Sequence, residues 1–235
     1  PYITNITGLG SALVSRGFLQ HVTLFLYRLA IRDAWCVFFQ NNGNRQFFVD
    51  NNAVGKKHRL IPGSGVNLQE HCFENYPEND GNNRFLFIGR VMKDKGIEEL
   101  LQAAIIVKNK YINVEFDAIG SCEKEYEEKL AEWKKAGVVF FHGFQQDVHS
   151  FIKRCHAVIL PSHHEGMANV LLEASATGRP VLASNIPGCK EAFDEGVSGF
   201  GFEPKDVDSL VKTIIKFIEL PYDQKKAMGR AARLK

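Results

Sequence analysis

Two kinds of apolar segment alternate along most of this chain, and that alternation constrains the fold more than any other feature of its sequence. Short runs rich in β-branched and aromatic residues read as buried strands: Trp35–Phe39, Arg59–Ile61, Phe85–Ile88, Val114–Ile119, Val138–Phe141, Ala157–Leu160 and Pro180–Ala183. Between them the apolar residues follow a helical period. In Ile97–Val107 the set Ile97, Leu100, Leu101, Ala104 and Ile105 keeps the i, i+3, i+4, i+7, i+8 spacing. Val207–Glu219 does the same with Val207, Leu210, Val211, Ile214, Ile215 and Ile218. Cys122–Lys135 reads as a charged surface helix and Asn169–Thr177 as a helix of small residues. Strands and helices alternating at this pitch predict an α/β protein, a parallel sheet with helices on both faces.

The pattern breaks once. Pro62-Gly63-Ser64-Gly65-Val66-Asn67 is turn-rich, and Glu74–Asn83 is polar with Pro77 and Gly81, so residues 62–83 read as an interdomain linker. Residues 84–220 then form one nearly complete α/β domain. Residues 1–61 offer two strands and two helices, too little to enclose a core alone, and are expected to be part of a domain whose remainder is missing. Residues 221–235 begin a further, truncated C-terminal helix.

Composition limits the classes open to the chain. With 45% hydrophobic and 24% charged residues it is a folded globular protein. The longest apolar stretch, Phe18–Ile31, is interrupted by His21 and Arg28 and is shorter than the ~20 residues of a membrane span. It reads first as a core helix, with docking on a membrane surface as the alternative. Residues 1–15 lack the basic start and apolar block of a secretory signal. Cys36, Cys72, Cys122, Cys155 and Cys189 are an odd number without a C-x-x-C pair, which argues for buried free thiols in a reducing cytoplasm. Residues 1–60 carry seven Lys/Arg against two Asp/Glu, and the rest 22 against 25. The basic N-terminal piece suits an anionic membrane surface or a phosphorylated acceptor, and equally an ordinary solvated face. A nucleic-acid partner is not expected.

The densest constellation of chemically useful residues is Leu160-Pro161-Ser162-His163-His164-Glu165-Gly166-Met167-Ala168-Asn169-Val170-Leu171-Leu172-Glu173-Ala174. A strand ends at Pro161, a loop carries Glu165 and Gly166, and a helix begins near Ala168. Free backbone amides and the positive end of a helix dipole would there meet an anion beyond the carboxyl end of a parallel sheet. Gly166 lets the backbone come close. Glu173, about one and a half turns into the helix, could reach a ribose diol while Glu165 faces whatever the phosphate carries. Two acids so placed suit a nucleoside-diphosphate sugar.

A second cluster, Phe87-Ile88-Gly89-Arg90-Val91-Met92-Lys93-Asp94-Lys95-Gly96, repeats the strand–glycine–helix pattern. Arg90 and Lys95 lie in its loop, where cations can grip a diphosphate leaving group. Neither cluster is a dinucleotide fingerprint or a P-loop, since the third glycine of G-x-G-x-x-G and the Gly-Lys-Ser/Thr ending are both missing. A weaker signal, Phe141-His142-Gly143-Phe144, leaves two readings open: a wall for the nucleotide base, or structure alone. No metal site is expected. His163-His164-Glu165 lacks the second His of H-E-x-x-H, and His58, His71, His142, His149 and His156 show no ligand spacing.

Glu165 and Glu173, within H-E-G-x-x-N-V-L-L-E-A, resemble the E-x7-E signature of glycosyltransferase family 4. Gly89–Gly96 is similar to that family's donor-diphosphate loop, and Gly178-Arg179-Pro180-Val181 to its post-helix strand entry. The resemblance runs through residues 59–230. It implies a GT-B fold, here a nearly complete C-terminal Rossmann-like domain plus a partial N-terminal one, and retaining transfer without a bound metal or other cofactor. Carried over by position, Arg90 and Lys95 bind the donor diphosphate, and the Asn169–Leu171 backbone caps the phosphates. Glu165 contacts the transferred sugar and Glu173 holds the ribose hydroxyls. Gly89, Gly143, Gly166, Met167, Ala168, Asn169, Val170 and Leu171 complete the donor-binding set. The catalytic set is Glu165, Arg90 and Lys95.

Asn5–Gly10, Phe38–Asn41 and Gly63–Asn67 are similar to bacterial members that extend capsule, O-antigen or lipid-linked oligosaccharides. The implied reaction moves a hexose, of the UDP-galactose or UDP-N-acetylgalactosamine type, to a polysaccharide or polyprenyl-diphosphate-linked acceptor. The implied place is the cytoplasm, with peripheral contact at the inner face of the membrane. One departure is that family members have a fuller N-terminal domain and a terminal helix crossing back to it. A truncated fragment that binds the nucleotide sugar without transferring it is therefore the alternative, and a UDP-sugar epimerase of the same fold a further one.

Overall fold

The computed structural model describes residues 2–14 and 17–235. Its residues fall into two compact units: Pro1–Gly65 with His164–Asn169 and Ile186–Glu191, and Val66–His163 with Val170–Asn185 and Ala192–Lys235.

The first unit is built on a parallel sheet in the order β1 (Tyr2–Ile6), β2 (Ala34–Phe39), β3 (His58–Leu60). Three helices accompany it: α1 (Ser11–Val14), α2 (Phe18–Ile31) and α3 (Asn42–Asp50). The expectation of two strands and two helices is corrected here. β1, with sequence YITNI, escapes a hydrophobicity reading because only Ile6 is buried. Ile6, Leu13, Leu24, Ile31, Val37, Phe39, Phe48 and Ala53 form this unit's own core. Phe48 sits at its centre, 5.1 Å from the ring of Tyr27 and 5.4 Å from that of Phe39.

The core-helix reading of Phe18–Ile31 does not hold. Only Leu24 and Ile31 are buried, while Phe18, Leu19, Val22, Phe25, Leu26 and Leu29 are exposed. At 100° per residue these six lie on one face, opposite Leu24 and Ile31. Apolar residues on both sides of the helix made its sequence look like core.

The second unit is a six-stranded, wholly parallel sheet in the order β6 (Phe140–Phe141), β5 (Val114–Ile119), β4 (Asn83–Ile88), β7 (Ala157–Leu160), β8 (Val181–Ser184), β9 (Gly199–Phe202). Its helices are α4 (Ile97–Lys110), α5 (Lys124–Lys135), α6 (Val148–Arg154), α7 (Asn169–Ala176), α8 (Val207–Ile218) and α9 (Tyr222–Leu234). The expected α/β class is what forms. Chain order runs outward from β4 to β6, then returns to β7 on the other side of β4. The topological switch point therefore lies between β4 and β7, where open parallel sheets have their ligand crevice. Phe85 of β4 stacks on Phe116 of β5 at 5.3 Å and meets Phe217 of α8 edge-on at 5.7 Å, which seats α8 on the sheet.

Residues 62–83, read from the sequence as a linker, divide between the units: Val66 onward belongs to the second. The segment is fastened there by Arg179, whose side chain is wholly buried. Its guanidinium donates to the carbonyls of Glu74 (3.1 Å) and Asn75 (2.8 Å), to Ile152 (3.2 Å) and Lys153 (2.7 Å) on α6, and to Thr177 and Gly178. A buried cation is tolerated because its donors meet carbonyl oxygens. Tyr76 donates its hydroxyl to the His156 carbonyl at 2.9 Å, and Tyr222 of α9 donates to the Pro77 carbonyl at 2.9 Å. All five cysteines are free, but Cys72 is exposed and Cys122 half-buried, so the expectation of buried thiols holds for only Cys36, Cys155 and Cys189.

Candidate functional site

The loop after β4 and the loop after β7 leave the sheet on either side of its switch point. Gly96 joins their bases. It adopts φ 70°, ending a short 3-10 turn (Lys93–Lys95) and capping the start of α4. A Cβ at this position would stand 2.0 Å from the Pro161 carbonyl oxygen, so no larger residue allows the approach. His163 adds two stitches: its backbone N–H donates to the Asp94 carbonyl at 2.8 Å, and its Nε2 lies 2.9 Å from Oε1 of Glu99 on α4. In the sequence His163 stands out only as a rejected metal ligand. It is nearly buried and positions the start of the Glu165 loop.

Within this frame Arg90 is exposed and Lys95 half-buried. Gly89 donates its amide to the Ile119 carbonyl at 3.0 Å, and the Gly120 amide donates to the Gly143 carbonyl at 2.9 Å. Gly143 therefore stands at the end of β6, two strands from β4. Glu173 is half-buried on α7, where burial raises its carboxyl above the usual range; His71 opposes that shift and Glu70 adds to it.

His164–Asn169 group with the first unit, and the reason is local packing. A Cβ on Gly166 would fall 1.3 Å from the Thr7 carbonyl oxygen. Asn41 Nδ2 donates to the Gly166 carbonyl at 2.5 Å and to that of Glu165 at 3.3 Å, while its Oδ1 accepts the Asn44 amide at 2.7 Å and caps α3. Met167 is buried against Gly63, and Glu165 is half-buried. The amide of Ala168 is not free as expected, because it donates to the Gly188 carbonyl at 2.8 Å. The helix starts at Asn169, the first residue of the expected Asn169–Thr177 helix. The amides of Asn169, Val170 and Leu171 occupy its first turn, where the helix itself offers no acceptor. Leu171 is wholly buried, so only its backbone is open to a ligand role. Thr7 and Asn41 are not marked in the sequence as supports of this loop, since nothing local points to a partner more than a hundred residues away.

One cluster was invisible in the spacing of the histidines. Cys72, Glu74 and His149 offer three ligand atoms all within 4.8 Å of one another.

A family model described as "Glycosyl transferases group 1" matches residues 69–235. The chain belongs to that family. Among the family's curated proteins, the N,N'-diacetylbacillosaminyl-diphospho-undecaprenol alpha-1,3-N-acetylgalactosaminyltransferase of Campylobacter jejuni is 26% identical over 230 residues, covering 91% of this chain and 60% of its own length. The capsular polysaccharide biosynthesis glycosyltransferase CapM of Staphylococcus aureus is 32% identical over 136 residues, 56% of this chain and 36% of CapM. The chain thus spans at most about three-fifths of these relatives. Among solved structures, HepE of Anabaena in complex with UDP superimposes with a TM-score of 0.82 at 19% identity, over 100% of this chain and 66% of HepE. Sucrose-phosphate synthase of Thermosynechococcus elongatus gives 0.77 at 21% identity, over 96% and 58%. These likenesses show the fold, the GT-B type of α/β protein.

Proposed function

We propose that this chain holds the nucleotide-sugar donor of a retaining glycosyltransferase, which moves a hexose from a UDP-linked donor of the galactose or N-acetylgalactosamine type to a polysaccharide or lipid-linked oligosaccharide acceptor. The observation that carries the reading is the meeting of the Arg90–Gly96 loop with Pro161 and His163, the first residues after β7, at the switch point between β4 and β7. The activities of the Campylobacter and Staphylococcus relatives support the sugar and acceptor classes, and the UDP held by HepE supports the nucleotide.

In this reading Arg90, Lys95 and the amides of Asn169, Val170 and Leu171 hold the diphosphate and stabilise the charge that builds on UDP as it leaves. Glu173 holds the ribose hydroxyls and Glu165 the transferred sugar. Gly89, Gly143, Gly166, Met167 and Ala168 shape the walls. UDP departs from the face that the acceptor hydroxyl attacks, so the anomeric configuration is retained. The chain's own cations carry the leaving-group charge, and a chelator leaves transfer unchanged. A lipid-linked acceptor would bring the protein to the cytoplasmic face of a membrane, with the exposed apolar face of α2 towards the lipid.

The test is titration of UDP and a panel of UDP-sugars, followed by a transfer assay with product anomers read by NMR. Lys95→Ala is expected to lower turnover about 100-fold, as loss of one preorganised charge-stabilising group does. Unchanged turnover removes Lys95 from the reading. UDP binding without any transfer marks this chain as the nucleotide-holding portion alone, and absence of UDP binding overturns the proposal.

A further inference from the structure

We infer that Cys72, Glu74 and His149 form a site for a divalent transition-metal ion of the zinc type, outside the donor-binding loops. Cys72 Sγ lies 3.8 Å from His149 Nε2 and 3.9 Å from Glu74 Oε1, and Nε2 lies 3.3 Å from Oε1. All three contacts are long for hydrogen bonds between such groups. They are close to the edges of a tetrahedral face. With metal–sulfur bonds of about 2.3 Å and metal–nitrogen and metal–oxygen bonds of about 2.0–2.1 Å, the edges come to about 3.6 Å and about 3.4 Å. The few tenths of an ångström that remain lie on the Cys72 side, and Cys72 is the exposed member of the three.

The backbone holds these ligands in place. Cys72 and Glu74 alternate around Phe73, whose ring packs on Gly178. The Glu74 amide donates to the Thr177 carbonyl at 3.1 Å, and Arg179 grips the Glu74 carbonyl. His149 comes from α6, and its Nδ1 lies 3.5 Å from Thr177 Oγ1, which in turn donates to the Glu173 carbonyl at 2.9 Å. At that separation the Thr177 hydroxyl is no closer than a long hydrogen bond, and an Nδ1–H tautomer, which leaves the Nε2 lone pair for a metal, would draw the two together as outer-shell partners do. Water completes the fourth position on the open side. The ion ties residues 72–74 to α6. A competing cation is Lys153, whose Nζ sits 3.1 Å from Glu74 Oε2, while Oε1 is the oxygen near Cys72 and His149.

Binding replaces the Cys72 S–H bond with a sulfur–metal bond and releases the proton to solvent, so affinity rises with pH. The experiment is competition for Zn2+ against a chromophoric chelator, together with the absorption spectrum of the Co2+-loaded chain. The expected result is one ion per chain and a thiolate-to-cobalt charge-transfer band. Cys72→Ser and His149→Asn should each weaken binding by at least about 100-fold, beyond the range that outer-shell partners account for. Cys72→Ser should also abolish the charge-transfer band, and Cys122→Ser should change neither quantity. Lys153→Met should tighten binding several-fold by removing the competing cation. A cobalt spectrum without the thiolate band overturns the assignment, as does Zn2+ affinity indifferent to both ligand substitutions, or no binding at all.

Discussion

In the six-stranded sheet β7 and β8 are buried along their whole length and β4 over its last four residues, whereas in the three-stranded sheet β1 buries only Ile6 and β3 buries no residue fully. Both sheets are parallel and both carry helices, so the difference lies in coverage and not in connectivity. Each unit nevertheless relies on one buried polar side chain that fastens distant backbone. In the second unit this is Arg179, and in the first it is Asn41, which is 1% exposed. A deeply covered sheet can hold a full charge there, because carbonyls surround it. The thinner one uses a neutral amide.

Substitutions at these fasteners can break or sharpen the contrast. Arg179→Met should have the largest effect. It strips donors from up to six carbonyls, each costing about 1–3 kcal/mol if left unpaired. Recovery of some by water leaves an expected loss of about 3–5 kcal/mol in denaturant unfolding, with faster amide exchange in β7 and β8. A loss below 1 kcal/mol would mean that the guanidinium is a passenger.

Next comes acid. His156, between α6 and β7, accepts the Arg84 amide on Nδ1 at 3.0 Å and is therefore neutral at that atom. Burial, reinforced by the Arg84 cation, pushes its pKa down to about 4. The unfolded chain takes up the proton near the ordinary value of about 6.5. Stability from this group is thus complete above that value and is lost as pH falls towards 4, by about 3 kcal/mol at most. His156→Gln should flatten that part of the pH–stability curve, measured by urea unfolding at a series of pH values. An unchanged curve would place the acid sensitivity elsewhere.

Asn41→Ala should have the smallest effect of the three, about 1–2 kcal/mol. It removes the α3 cap and the donors to the Glu165 and Gly166 carbonyls. Exchange should quicken at the start of α3 and not in β8. A cost equal to that of Arg179→Met would erase the distinction between the two units.

The same contrast explains what the sequence disclosed. β4, β7 and β8 were readable because strands covered on both faces become nearly unbroken apolar runs, and β5 because Val114, Phe116 and Ala118 alternate with polar residues. β1 was not, since Thr4 and Asn5 interrupt its apolar residues and only Ile6 is buried, and neither was β9, whose sequence GFGF looks like a loop. Its glycines are there for closeness: a Cβ on Gly199 would stand 2.3 Å from the Val181 carbonyl oxygen. Expected Val138–Phe141 shrank to Phe140–Phe141 at the sheet edge, where one neighbour is missing. For the candidate site, the two loops were visible because glycines and charges end apolar strands at Gly89 and Pro161. Strand order was not visible, so the placement of both loops beside one switch point emerged only from the pairing of β4 with β7. The grouping of Cys72 and Glu74 with His149 was hidden for the same reason, as no local period links residues 75 and more positions apart.

The contact of Gly166 with Thr7 bears on how proteins of this kind can be recombined. A chimera cut at Gly65 would carry the Glu165 loop into a new setting while leaving behind Thr7, Asn41 and Gly63, the backbone and side chains moulded around it. Successful exchange of halves would need those three positions to travel as a set with Gly166, even though they sit on the other side of the splice.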